Sequence, residues 1–598
     1  MSTSPLPPLA QTVGRVCAWI LGGVLVLAVL AAAWIGVRGA LAYGHLSDAQ
    51  QSAAGAAEVL RDPSAAAALV SDLSADTRAA RDLTSDPIWT AAEALPWIGP
   101  QLDAVGTVAA AIDDVASEAL TPLTDVAAGF SIDALRPVEG RIDLAAFSSI
   151  SAAARAGADG LSRAATSVGA IDDTALLGPV RQAVTEVSDL LDSTSQTTDA
   201  LARATTLLPA MLGETGPRNY LIVFQNNAEW RSLGGIVGAM AVIQTDNGAL
   251  SLTEQGSSSD FRRYDGPVLP LSPEIVGIFG NRPAQWIQNV TQVPVFSLTG
   301  QLAREMWLRE KGLAVDGVIS MDPVALSYLL AATGPVDLPT GEQLTADNAV
   351  SLLLNEVYLR YENPADQDAF FAAAAAAVFA KVAAGVADPA ALVTALGRAG
   401  EERRLLMWSA LPEDQAVLAD TTLVGPLPVT NEDQLGFGVY LNDGTGSKMD
   451  YYVDADTTLV WDTCTRNADD TATGSITLTL TLTNTAPADA ATSLPDYITG
   501  GGGFGTEPGI AKTVGYLYLP PETELTAATM SDGSGFGGGI DAGRQVLSFS
   551  TDLDPGEATT VSLTVRTKTP GAQKAVAWVT PTVHPDIPTS IGDSCTAD

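Results

Sequence analysis

Residues 16–37 read VCAWILGGVLVLAVLAAAWIGV and carry no charge. No other feature constrains the fold as strongly. An uncharged run of about 22 residues can cross a bilayer as a helix, which satisfies every backbone N–H and C=O within the segment. Trp19 and Trp34 sit near its ends, where amphipathic rings favour the interface, and Arg15 and Arg38 bracket it. Ala40-Leu41-Ala42 imitates a signal-peptide cleavage box. The apolar run is longer than a usual signal core, which favours an uncleaved anchor. The expectation is a single-pass membrane protein with residues 1–15 as a short cytoplasmic tail, 16–37 as a transmembrane helix and the body outside the cell. Pro5, Pro7 and Pro8 make the tail read as disordered.

With 598 residues, the chain is too long for one core, and several domains are expected. The 31 basic and 69 acidic residues give a net charge of −38. Nucleic acid is thereby disfavoured as a partner, because phosphate neutralisation needs Lys and Arg. Flat docking on anionic lipid is disfavoured for the same reason. Of the three cysteines, Cys17 lies in the apolar run. Cys464 and Cys595 lie in a β-rich region and are expected to form a disulfide, which supports an extracellular body.

Residues 44–213 are rich in Ala, Asp, Ser and Leu and read as a helical stalk or bundle. Pro63, Pro87, Pro96 and Pro100 divide its first half. Val180, Val184, Val187, Leu191 and Thr194, continued by Leu201 and Leu208, form a coiled-coil-like stripe. Bundle core and oligomer interface both remain open for it. Residues 217–430 alternate strand and helix patterns, which predicts an α/β domain. Strands are expected at 220–224, 236–244, 250–254 and 317–321. Residues 437–598 show short alternating strands such as 476–482 and 561–565, which predicts an immunoglobulin-like β-sandwich. Gly500–Gly503 and Gly537–Gly539 read as flexible loops.

With only His45 and His584 present, neither a Ser-His-Asp nor a Cys-His arrangement is plausible. Any chemistry must use carboxylates and arginines. Phe224-Gln225-Asn226-Asn227-Ala228-Glu229-Trp230-Arg231-Ser232-Leu233-Gly234-Gly235 follows a predicted strand. Asn226 and Asn227 suggest a polar loop, and Gly234 and Gly235 permit close backbone approach. Hydrogen bonding of a buried turn is the competing reading of the two asparagines.

This block, the segment Val315–Val336 and the segment Leu441–Tyr452 resemble an uncharacterised family of actinobacterial membrane proteins, domain of unknown function 4012. The resemblance implies no activity. Residues 217–430 also resemble, more weakly, the LytR-CpsA-Psr domain, whose enzymes move glycopolymers from polyprenyl-pyrophosphate lipids to the cell wall. Arg231-Ser232 matches the start of its Arg-Ser-Asp motif, but Leu233 replaces the Asp. Ser259-Asp260 stands where Arg-Asp is expected, followed by Arg262 and Arg263. Asp316-Gly317 and Asp322 match its middle. Arg360 and Asp368 resemble its late arginine motif, but Phe370-Phe371 replaces the arginine-glutamine pair.

The resemblance implies that Arg231, Arg360 and one of Arg262 or Arg263 grip phosphate, as arginine forks do. It makes Arg231, Asp260 and Arg360 the catalytic candidates, with Asp260 orienting Mg²⁺ or an acceptor hydroxyl. Because ligands are missing, the site reads as degenerate. The function expected is an envelope protein that binds or positions a lipid-linked or wall-linked glycopolymer, or peptidoglycan. An active phosphotransferase with altered ligands and a structural or adhesive surface protein are the alternatives. Trp461, Tyr497, Phe504 and Trp578 are the aromatic contacts open to an adhesin, unless they belong to the core.

Overall fold

A computed structural model describes residues 8–54, 63–121, 136–431, 434–467, 471–569, 574–584 and 588–591. The chain divides into two compact units, Met1–Ala134 with Leu144–Pro209, and Leu135–Asp143 with Ala210–Asp598.

The first unit is helical. Its first helix, Pro8–Ala54, contains the one stretch among the described residues long and apolar enough to cross a membrane. It starts at Pro8, so residues 8–15 of the expected tail are helical. Helices Pro63–Thr84, Pro87–Glu93, Gly99–Asp114, Leu144–Gly169 and Gly178–Met211 follow. Asp86 begins the third by accepting hydrogen bonds from Ile88 N (2.7 Å) and Trp89 N (3.2 Å), with Pro87 in the first turn. Small side chains at Ala104, Ala119 and Ala164 let these helices approach closely. Val184 and Leu191 of the expected stripe are buried among them, with Val180 and Val187 at the margin. Leu208 is exposed, so the stripe turns out of the packing before it reaches this position.

The second unit holds three five-stranded sheets. In the first, the order is β3-β2-β1-β4-β7. Its strands are β1 (Arg218–Arg231), β2 (Gly234–Asp246), β3 (Ala249–Ser257), β4 (Gly317–Met321) and β7 (Leu405–Ser409), while β5 (Val336–Asp337) and β6 (Gln343–Leu344) form a separate pair. β1 is antiparallel to β2 and parallel to β4. Asn247 and Gly248 turn β2 into β3 with φ of 45° and 81°, the left-handed geometry a tight hairpin requires.

Two further sheets follow, in the orders β13-β14-β11-β8-β16 and β12-β15-β10-β9-β17. The first contains β8 (Gln434–Asp443), β11 (Ala511–Tyr518), β13 (Gly537–Asp541), β14 (Arg544–Leu553) and β16 (Lys574–Val579). The second contains β9 (Val453–Arg466), β10 (Ala472–Asn484), β12 (Glu524–Met530), β15 (Ala558–Thr569) and β17 (Thr589–Ile591). The alternation Ile476, Leu478, Leu480, Leu482 points one face of β10 into a core shared with Phe437, Leu517 and Phe549 of the other sheet. The same apolar cluster reaches Trp230, Leu330 and Tyr358 of the α/β part.

Two glycine runs differ in outcome. Gly500–Gly502 is a tight turn, whereas Gly537–Gly539 lies in the edge strand β13 rather than in a loop. Cys464 lies on β9 and is disulfide-bonded. Its expected partner, Cys595, lies outside the described residues. β17 runs parallel to β9 with Thr589 opposite Thr458.

Candidate functional site

The block 224–235 is strand where a loop was expected: β1 runs unbroken to Arg231, with register shifts after Phe224 and Asn226. Both faces of its end are covered. Ala228 and Trp230 are fully buried on one side, and Gln225, Asn227, Glu229 and Arg231 are buried on the other. Gly234 and Gly235 serve close packing on β1 itself: a Cβ at Gly235 would lie 2.1 Å from Asn226 O.

The polar side chains of β1 meet the segment that leaves β8. Arg231 donates from Nη2 to Glu229 Oε1 (3.3 Å), from Nε to Asn289 Oδ1 (3.0 Å) and from Nη1 to Trp230 O (2.6 Å). Lys448 Nζ donates to Glu229 Oε2 (3.2 Å) and lies 5.0 and 5.2 Å from the ring centres of Tyr358 and Tyr497. Asp450 Oδ2 accepts Trp230 N (2.7 Å). Ser232 and Asn442 exchange two hydrogen bonds, Ser232 N to Asn442 Oδ1 (3.2 Å) and Asn442 Nδ2 to Ser232 Oγ (2.9 Å). Asp443 Oδ1 accepts Thr445 N and Oγ1, while Oδ2 has no donor among the described residues.

Glu229, Asp443 and Asp450 thus face two cations, Arg231 and Lys448, with all five buried. Burial and the nearby Glu229 push the Asp443 carboxyl up to about 7. Burial and Asp443 raise Asp450 well above the carboxylate range. Burial opposes the charge of Lys448, but Glu229 outweighs it and holds the ammonium above its ordinary value. Burial pushes Tyr358 up to about 12, and its hydroxyl oxygen accepts Asn226 Nδ2 (2.5 Å). Asp443 and Asp450 therefore both hold their protons more tightly than exposed carboxyls do.

A second polar knot lies beside it. Asp322 caps the helix Pro323–Thr333 by accepting Ala325 N (2.7 Å). It also pairs with Arg404 (2.7 Å) and accepts Asn227 Nδ2 (3.1 Å). Asn227 and Arg404 reach on to the carbonyls of Pro581 and Thr582, tying the first sheet to the chain after β16.

The remaining expected residues are elsewhere and have separate partners. Asp260 Oδ2 pairs with Lys311 (3.0 Å) and accepts Ser257 N (3.2 Å). No grouping of three or more His, Cys, Asp or Glu suited to a metal ion occurs among the described residues. Arg262 pairs with Glu310 (3.2 Å), and Arg263 stacks over Trp286. Arg360 is taken by Glu342 (2.7 Å) and Glu356 (2.8 Å). Asp368 accepts Ser259 Oγ (3.1 Å). No two of Arg231, Arg262, Arg263 and Arg360 share a partner.

Glu229, Asp443, Lys448 and Asp450 were not among the residues singled out from the sequence. Asp443, Lys448 and Asp450 stand together in the segment Leu441–Tyr452, whereas Glu229 lies in the block 224–235.

No curated protein matches the chain. Residues 215–358, which carry the first two of the three sequence blocks but not Leu441–Tyr452, match the family model described as Protein of unknown function (DUF4012).

Proposed function

We propose that this chain is a membrane-anchored structural protein of the cell surface, with no transfer chemistry of its own. One observation carries the reading: Arg231, the arginine expected to lead the phosphate grip, is buried and spent on Glu229, Asn289 and a main-chain carbonyl. Such a side chain holds β1 to the chain around it. The disulfide at Cys464 supports an oxidising, extracellular location for the body. The two sheets sharing a core are read as an immunoglobulin-like sandwich. The first sheet is read as a LytR-CpsA-Psr-like domain that has lost its phosphate ligands.

The test is mass spectrometry of lipid that co-purifies with the detergent-extracted full chain. The reading expects no polyprenyl phosphate or pyrophosphate above the level on an unrelated membrane protein. Such a lipid, present in the wild type and lost from Arg263→Ala, would overturn it.

A second reading, binding of a lipid-linked or wall-linked glycopolymer without turnover, has one observation in its favour. Arg262 is 74% exposed, and Arg263 is exposed beside Trp286 with no carboxylate partner among the described residues. An exposed guanidinium over an indole suits a sugar phosphate. The same experiment separates the two readings.

A further inference from the structure

The end of the apolar helix is packed against a helical hairpin whose tip is apolar and bare. The register of the contacts fixes where that tip lies. Helix Pro63–Thr84 runs antiparallel to the first helix: Ala49 packs with Leu73, His45 pairs with Asp76 (2.9 Å), and Arg38 donates to Leu83 O (2.8 Å). Beyond it, Asp86 meets Arg38 (2.8 Å) and Trp34 Nε1 (3.4 Å). Trp89 then packs with Ile35 and beside Gly39.

The chain reverses in the segment that follows. Trp89 Nε1 donates to Leu102 O (3.2 Å), and further back Asp113 accepts Thr77 Oγ1 (3.2 Å) and pairs with Arg81 (3.2 Å). Residues 94–98 are therefore the turn at the membrane-side end, level with the last turns of the apolar run. The helix itself agrees. Residues 18–30 are exposed throughout, and partial cover begins at Ala31 and Ile35.

At this turn, large apolar side chains face outward. Trp97 is 90% exposed, Ile98 57%, Leu95 51% and Ile88 43%. Trp97 has a φ of 70°, a left-handed conformation that a tryptophan rarely adopts. A second tip joins the first: Gln101 donates to Ala175 O (2.8 Å) and accepts Leu177 N (2.9 Å), leaving Leu177 65% exposed.

We infer that the tips 94–98 and 175–177 form a second membrane contact, seated in the outer interface beside the apolar helix. This rests on the reading of that helix as a membrane anchor. If residues 16–37 occupy the hydrocarbon core, at 1.5 Å per residue they span about 33 Å, close to its thickness. Residues packed against 34–39 then lie at headgroup level, where Trp and aliphatic side chains are favoured. Asp103, Asp172 and Asp173 stand near these tips, so the attraction is apolar, and neutral lipid suffices.

The full chain in phosphatidylcholine vesicles, with and without brominated acyl chains, provides the test. Trp97→Phe alters an exposed side chain and leaves the core intact. It should remove an emission component that is blue-shifted, quenched by bromine and insensitive to salt. Trp19→Phe reports on the anchor separately. If the Trp97 component is unquenched while the Trp19 component is quenched, the tips are in water or against protein, and the inference is wrong. If neither is quenched, the anchor reading falls, and the inference falls with it.

Discussion

The charges of the second unit fall into two populations with similar pairing distances and different surroundings. Glu229, Arg231, Asp443, Lys448 and Asp450 are each at most 9% exposed. Arg262 and Arg360, also in ion pairs near 3 Å, keep 74% and 41% of their side chains in water. A pair in water gains little, because solvent screens it and both side chains lose freedom. A buried set cannot lose a member without stranding the others. Of the residues expected to bind phosphate, Arg231 belongs to the buried group and Arg262 and Arg360 to the exposed one.

The largest effect should come from Lys448→Met, which leaves three carboxyl groups facing Arg231 alone. Loss of about 3–5 kcal/mol is expected, read as a lower denaturant midpoint. Next, Cys464→Ser should cost about 2–4 kcal/mol, and peptide mapping of the non-reduced wild type should give one peptide linking Cys464 to Cys595.

Asp443→Asn sharpens the comparison through pH. The folded carboxyl binds its proton more tightly than the unfolded one. Its contribution to stability is complete below about pH 4, the unfolded value, and is lost as pH rises through the folded value. That folded value is about 7. Relative to Asp443→Asn, the wild type should therefore lose stability steadily as pH rises across that window. By pH 8 the variant should be the more stable of the two. Equal slopes for both proteins would show that Asp443 does not carry the tightly held proton. The smallest effect belongs to the exposed pairs: Arg360→Ala should shift stability by under about 1 kcal/mol, and salt should reduce even that.

Much of the fold was legible because its signals are local. Gly317–Met321 is a short apolar run and is the strand β4; the Thr–Leu alternation of 476–482 is the middle of β10. β1 was cut short because Gln225, Asn227, Glu229 and Arg231 are polar, and polar residues after an apolar run read as loop. They alternate with period two, as strand residues do, but their burial depends on partners far along the chain. Glu229 meets Lys448 across 219 positions, and no local pattern announces that pairing. Gly537–Gly539 failed for the opposite reason: a glycine run has no side-chain pattern, and only pairing with β14 makes it strand.

Glu229 and Lys448 are structural partners inside one buried network. A double-mutant cycle of Glu229→Gln and Lys448→Met, followed by chemical denaturation, tests this most directly. Each single change should be strongly destabilising, and the double variant should recover at least about 1.5 kcal/mol of the summed loss. Additive losses, together with a bound polyprenyl phosphate that disappears from Lys448→Met, would contradict it and make the cluster a ligand site.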